Sequence, residues 1–248
     1  MTVTGWHSYE RRVVPHLGAP FASAVRDAVP AGLVVDLAAG TGALSGSMQA
    51  RGDIRAIAVD PDPDALAVAR ALRPGLTLLR ADALALPLRT ASADAVVCQQ
   101  GLQFVPDLAR AAAQIARVLA AGAPLVALTW DEWGSVSVFC ALAALAEVEL
   151  GRTDVFRDPC ALPPARLAEA LRDAGLRDVE QQQLARTMPR HDDADLLAYW
   201  TQHTSTVLAT PWRRADDSER RRWLRRFSTE LSARDRELRV VLTVAWAS

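Results

Sequence analysis

Four short stretches hold the residues whose types and spacing could do chemistry. In VVDLAAGTGALSG (34–46), β-branched residues run into Asp36 and then into Ala38, Gly40 and Gly42. IAVDPDPDAL (57–66) closes an apolar run with Asp60 and Pro61, and LLRADALALPL (78–88) does so with Asp82 and Ala83. CQQGLQFVPD (98–107) carries Gln99, Gln100, Gln103 and Phe104. Glycines bring backbone close to a ligand, and the start of a helix beyond them offers free N–H donors. A carboxylate set among buried apolar residues is costly without a partner, so Asp36 points to a charged or hydrogen-bonding ligand.

Two ligands fit such a loop, a dinucleotide and S-adenosylmethionine. The dinucleotide pattern G-x-G-x-x-G would need a third glycine at position 45, where this chain has Ser45, with Gly46 one place late. Asp36 ahead of the glycines would repel a pyrophosphate, whereas the ammonium and sulfonium of S-adenosylmethionine would be attracted. Asp60, closing the second apolar run, can accept from both ribose hydroxyls of either ligand. Asp82 can accept from an adenine amino group while the Ala83 N–H serves a ring nitrogen; its plainer role is to cap a following helix.

The elements that must position these residues alternate regularly. Apolar strand-like runs at 32–38, 54–60, 76–82, 93–99 and 123–130 are separated by helix-like segments, one at 63–72 and a long one opened by Pro106 and Asp107. Continuous apolar runs are the mark of parallel strands covered on both faces. Further helices are expected over 135–150 and 163–176, a strand over RDVEQQQLART, a helical insertion over about 190–233, and a last strand over 238–247. This order predicts an α/β, doubly wound, Rossmann-like, seven-stranded and mostly parallel sheet. Helices cover both of its faces and a helical cap overhangs the carboxyl edge. The whole chain, 1–248, reads as a single domain: a helical lead over 1–30, a core over 31–130, and over 131–248 the cap helices with the last two strands.

Composition excludes several classes. The 28 basic residues, all arginine, balance 29 acidic ones, so nothing overall favours nucleic acid or an anionic membrane. Seven arginines fall within 213–226, but Asp216, Asp217 and Glu219 interleave with them and the run reads as a solvated helix face. No apolar run reaches the length of a membrane span, and MTVTGWHSYERR lacks the apolar core of a signal peptide. Cys98, Cys140 and Cys160 show no metal-ligand spacing, so no metal is expected, and their odd number suits a reduced cytoplasm.

Taken together, DLAAGTG, VD at 59–60, AD at 81–82 and CQQGLQFVPD resemble the class I S-adenosylmethionine-dependent methyltransferases, in particular the ubiquinone/menaquinone-biosynthesis-like type 11 subset. The resemblance covers roughly 5–130 and implies S-adenosyl-L-methionine as cofactor and S-adenosyl-L-homocysteine as product. It places Asp36, Ala38, Gly40 and Gly42 around the methionine part, Asp60 and Pro61 at the ribose, and Asp82 with Ala83 at the adenine. Gln99 and Gln100 fall near the cofactor, and Gln103 and Phe104 near the reacting methyl. The lead SYERRVVPHLGAPFA looks like the family's segment that folds over the cofactor, which brings Trp6 and Tyr9 to the ligand. Methyl transfer needs little acid–base help; the candidates are His7, His16, His191, His203, Tyr9 and Glu10, with His203 and Tyr9 preferred. Trp130, Trp133, Phe139, Tyr199, Trp200 and Trp212 either line a pocket or fill a second core. Trp130, Tyr199, Trp200 and His203 are the expected substrate contacts.

The expected function is methyl transfer to a small hydrophobic or aromatic biosynthetic acceptor, secondary-metabolite or quinone-like. The alternative is an enzyme of the same fold, a cyclase or isomerase, that binds S-adenosylmethionine without moving its methyl. A small-molecule substrate, no nucleic acid, no membrane span, and a monomer or homodimer are the expected partners.

Overall fold

The computed structural model describes residues 1–131, 134, 136–153, 162–189, 192–204, 206–234 and 237–248, with backbone alone for His203, Thr204 and Thr206. Seven strands form one sheet: β1 Gly32–Leu37, β2 Ile54–Asp60, β3 Thr77–Arg80, β4 Ala95–Gln99, β5 Pro124–Trp130, β6 Arg177–Thr187 and β7 Glu237–Trp246. Their order is β3-β2-β1-β4-β5-β7-β6, with β1 to β5 parallel and β7 antiparallel to both its neighbours. All the strands expected from the sequence are present. β3 is shorter than expected, ending at Arg80, so Asp82 lies in the loop beyond it.

The continuous apolar runs are explained by two cores, one on each face. Successive residues alternate between them: Val34, Val97, Val126 and Leu128 face one, Val35, Val96, Leu125 and Ala127 the other. A strand sandwiched this way has no polar face to show. Helices α2 Ala19–Asp27, α6 Ser137–Leu150 and α10 Asp217–Ser232 cover the first face, α2 burying Phe21 and Val25 and α10 burying Trp223, Phe227 and Leu231. Helices α5 Leu108–Val118 and α7 Pro164–Asp173 cover the second with Ala112, Ile115, Leu167 and Leu171. α5 starts at Leu108, two residues after the proline expected to open it. Asp107 is the cap, its carboxylate accepting the Arg110 N–H at 3.0 Å, and Pro106 precedes it.

Two connections position the site. Strand order reverses between β1 and β4, which opens a crevice at their carboxyl ends where α/β sheets bind ligands. Helix α3 Ala43–Gln49 leaves β1 on one side of that crevice, and α4 Pro63–Leu72 leaves β2. Because β6 runs parallel to β5 and β7 antiparallel, the insertion between them leaves and re-enters the sheet at the same carboxyl edge. It contains α8 Asp193–Tyr199, a wide turn Trp200–Thr204, α9 Thr206–Arg214 and α10. The lead, α1 Val3–Arg12 and a wide turn Val14–Gly18 before α2, reaches the same edge, where Arg12 meets Asp195 of α8 at 2.8 Å.

Candidate cofactor site

Beyond β1 the backbone turns through the left-handed region at Ala38 (φ 54°), Gly40 (55°) and Gly42 (76°). Only glycine takes this conformation without penalty, so both glycines are required by the loop itself, and Ala38 is held there by its surroundings. The loop is stitched to β2: Ala39 N–H donates to Val59 O at 3.0 Å and Gly40 N–H to Asp60 Oδ2 at 2.8 Å. Asp60 Oδ1 accepts from Asp62 N–H at 2.9 Å. Burial pushes the Asp60 carboxyl above its ordinary range, and these two N–H groups pull it back. Each oxygen keeps a second lone pair, so the carboxylate can still take ligand hydroxyls.

Asp36 has its partner inside the chain. Its Oδ2 accepts the Ser45 hydroxyl at 2.6 Å, and it is 1% exposed. The residue that breaks the dinucleotide glycine pattern is therefore the one that satisfies this carboxyl. Burial outweighs that hydrogen bond and raises Asp36 from 3.8 to about 7.

The loop after β4 presses on the first. A Cβ on Gly101 would stand 2.5 Å from Ala38 Cβ and 2.7 Å from Cys98 Sγ, so only glycine fits. Gln99, at the end of β4, donates its amide to Gly18 O at 2.7 Å and ties the lead to β4. Gln100, left-handed at φ 60°, sends its N–H to Leu128 O at 2.8 Å and accepts from Gln103 Nε2 at 2.9 Å. Gln100 Nε2 and Gln103 Oε1 are buried with no partner, an open donor and an open acceptor. Such orphans are expensive unless a ligand completes them. Asp82 is exposed and its Oδ1 accepts Leu84 N–H at 2.9 Å across a turn, with Ala83 beside it; among the described residues no helix follows for it to cap. Pro61 is exposed, and so is Phe104, at 64%.

The lead lies directly on this ground. Trp6 donates to Asp62 Oδ2 at 2.9 Å, and its ring stands 3.3 Å from where a Cβ on Gly40 would be. Glu10 accepts the Thr41 hydroxyl and pairs with Arg73, whose other amine donates to Thr41 O at 3.0 Å. Tyr9 packs edge-on to Trp6 at 5.2 Å. Burial, then Glu10 and Asp60, push its phenol from 10.0 to about 12, so Tyr9 stays protonated near neutrality.

From Tyr9 a ladder of rings runs through Tyr199, Trp200 and Phe139 to Trp130, with centroid spacings of 6.2, 5.2, 5.3 and 5.7 Å. Tyr199 and Trp130 are 1% and 5% exposed and belong to the first core. The aromatic cluster is thus the second-core reading of the sequence: it joins lead, cap and sheet by packing. Trp212 joins the same core, against Trp223. His203 sits in the turn Trp200–Thr204, but its side chain, together with Trp133, Cys160 and His191, lies outside the described residues. Of the residues not singled out from the sequence, Thr41, Ser45, Asp62 and Arg73 all belong to this site. Only Ser45, as the broken glycine pattern, left a signal.

Comparison with known proteins agrees with this geometry. Residues 35–127 match the family described as "Methyltransferase domain". An uncharacterized methyltransferase of Mycobacterium tuberculosis (strain H37Rv) is 43% identical over 98 residues, which is 40% of this chain and 39% of that protein. The demethylmenaquinone methyltransferase of Thermobifida fusca is 43% identical over 105 residues, 40% of this chain and 44% of that protein. The chain thus matches less than half the length of these curated relatives. Among solved structures, Haemonchus contortus phosphoethanolamine N-methyltransferase 2, in complex with S-adenosyl-L-methionine, superposes with a TM-score of 0.65 at 16% identity. That match covers 99% of this chain and 57% of the other and shows the shared fold.

Proposed function

We propose that this chain, whose residues 35–127 match the methyltransferase domain family, is a class I, type 11 S-adenosylmethionine-dependent methyltransferase of small hydrophobic or aromatic acceptors. The observation that carries the reading is the β1/β4 crevice. A left-handed glycine loop meets two buried carboxylates there, Asp36 and Asp60, and the unpartnered amide atoms of Gln100 and Gln103 complete it. A cationic amphiphile with a ribose fits that donor and acceptor set, and a pyrophosphate does not.

When bound, the cofactor supplies a methyl group on a sulfonium, an activated leaving group. The chain's own residues bind and orient. Asp60 accepts hydroxyls, and the backbone from Ala38 to Gly42 lies close to the ligand. A cationic end beside the loop would favour the ionised form of Asp36, and the loop at Pro61, Asp82 and Ala83 borders the adenine. Gln100 and Gln103 fix a polar group at the reacting end. Rate then comes chiefly from alignment of acceptor and methyl. No titratable base is required for an acceptor that is already a nucleophile.

The acceptor class rests on two supports. Exposed Phe104 and partly buried Trp200 offer flat apolar area at the carboxyl edge. The Thermobifida fusca relative is named for a quinone-type acceptor. In this reading the lead over 1–30 and the cap over 131–248 choose the acceptor, the cap through Trp200 and His203, while 31–130 holds the cofactor. The test is transfer of labelled methyl from S-adenosylmethionine to a panel of hydroquinones, phenols and amines. Label recovered in an aromatic product supports the proposal. Tight cofactor binding with no label moved to any acceptor would select the alternative, an enzyme that keeps the methyl in place.

A further inference from the structure

Helix α1 occupies ground that the cofactor reading assigns to the ligand. Its Trp6 ring comes within 3.3 Å of the position a Cβ on Gly40 would take, so the space over the glycine is filled by the ring and too narrow for a ligand layer, whose own contacts need about 3.5–4.0 Å on each side. Tyr9, one turn on, is close enough to Asp60 for that carboxylate to raise its phenol.

Besides the Arg12–Asp195 pair to α8 and the Met1 ammonium on Asp62 at 3.1 Å, three contacts fasten the helix to the cofactor loops. Trp6 Nε1 holds Asp62, the residue that caps the start of α4, at 2.9 Å. Glu10 holds Arg73, at the far end of α4, and the hydroxyl of Thr41 in the glycine loop. Arg73 closes the ring by donating to Thr41 O at 3.0 Å. The Glu10 and Arg73 side chains are 16% and 23% exposed, so their pairing is only partly screened by solvent.

We propose that this is a self-blocking latch. Glu10, closing on Thr41 and Arg73, holds Trp6 against Gly40, and the cofactor binds only when α1 has swung away. The proposal rests on the cofactor reading above. Its consequence is quantitative: when only a fraction of molecules is open, the apparent dissociation constant is the intrinsic one divided by that fraction. Loosening the latch therefore tightens binding and speeds association. A lid that folds down on top of a bound ligand predicts the opposite, because loosening it would let the ligand escape.

The test uses the full chain, its isosteric variant Glu10→Gln and, from the other side of the pair, Arg73→Met. S-adenosylhomocysteine is the probe, with titration calorimetry for affinity and stopped-flow tryptophan fluorescence for association. Both variants are expected to bind about three- to tenfold more tightly and to associate faster. Unchanged or weaker binding in both would overturn the latch. Amide hydrogen exchange over residues 3–12 without any ligand gives the second readout, and it should accelerate severalfold in both variants. Unchanged exchange there overturns the latch whatever the binding shows. No binding to any of the three proteins, with exchange accelerated, would instead remove the cofactor reading, and with it the site that the latch covers.

Discussion

Replacing Asp36 by asparagine should change how stability depends on pH more than it changes the fold. The carboxyl is 1% exposed, accepts Ser45 Oγ at 2.6 Å, and is raised from 3.8 to about 7 by burial. Its folded value lies above its unfolded one, so its contribution is fully present below pH ~4 and is lost as pH rises through about 7. At about 1.4 kcal/mol per pH unit of difference, the loss has a ceiling near 4 kcal/mol; relaxation and water entry bring the expectation to roughly 1–3 kcal/mol. The substituted amide would still accept the Ser45 hydroxyl and would carry no charge. Urea unfolding of both proteins between pH 4.5 and 8 isolates the effect, because every other group cancels in the difference. The wild type should lose about 1–3 kcal/mol relative to Asp36→Asn across that range. A flat difference, or one of opposite sign, would refute the argument that burial dominates at Asp36.

Gly101→Ala forces a Cβ to 2.5 Å from Ala38 and 2.7 Å from Cys98 Sγ; it should cost about 1–3 kcal/mol in urea melts and weaken cofactor binding, and a neutral result would mean the two loops separate freely. Tyr199→Ala removes a side chain that is 1% exposed and should cost about 3–5 kcal/mol of stability, where a loss below ~1 kcal/mol would contradict the packed ladder. Burial, then Asp36, push the Cys98 thiol up to about 12, so it should resist thiol reagents until the chain unfolds; rapid labelling of Cys98 in the native protein would count against a closed crevice floor.

The strands were legible because a parallel strand covered on both faces writes itself as a largely apolar run, as β1, β4 and β5 do, and in β2 only Arg55 is exposed. The acids at strand ends were legible by type: Asp36 and Asp60 are charges where apolar residues belong. Asp82 was misplaced slightly because LLRAD continues the pattern past Arg80, where pairing with β2 stops. Other features had no local signature. Gln99 looked like a ligand-facing residue, yet its partner is a backbone carbonyl 81 positions away. The Glu10 contacts span 31 and 63 positions, and no periodicity encodes such a distance. The tryptophans of the cap were ambiguous in principle, since the same ring area suits a pocket or a core, and only burial separates the two.

The central claim is that the crevice between β1 and β4 holds S-adenosylmethionine through Asp60. Titration calorimetry of the wild type and Asp60→Ala with S-adenosylmethionine, S-adenosylhomocysteine and NADH tests it most directly. Both adenosyl ligands should bind the wild type and NADH should not. Asp60→Ala should remain folded and lose about 3–6 kcal/mol of binding, two charge-assisted hydrogen bonds at ~1.5–3 kcal/mol each. Binding of NADH in place of both adenosyl ligands, or unchanged affinity in a folded Asp60→Ala protein, would contradict the account.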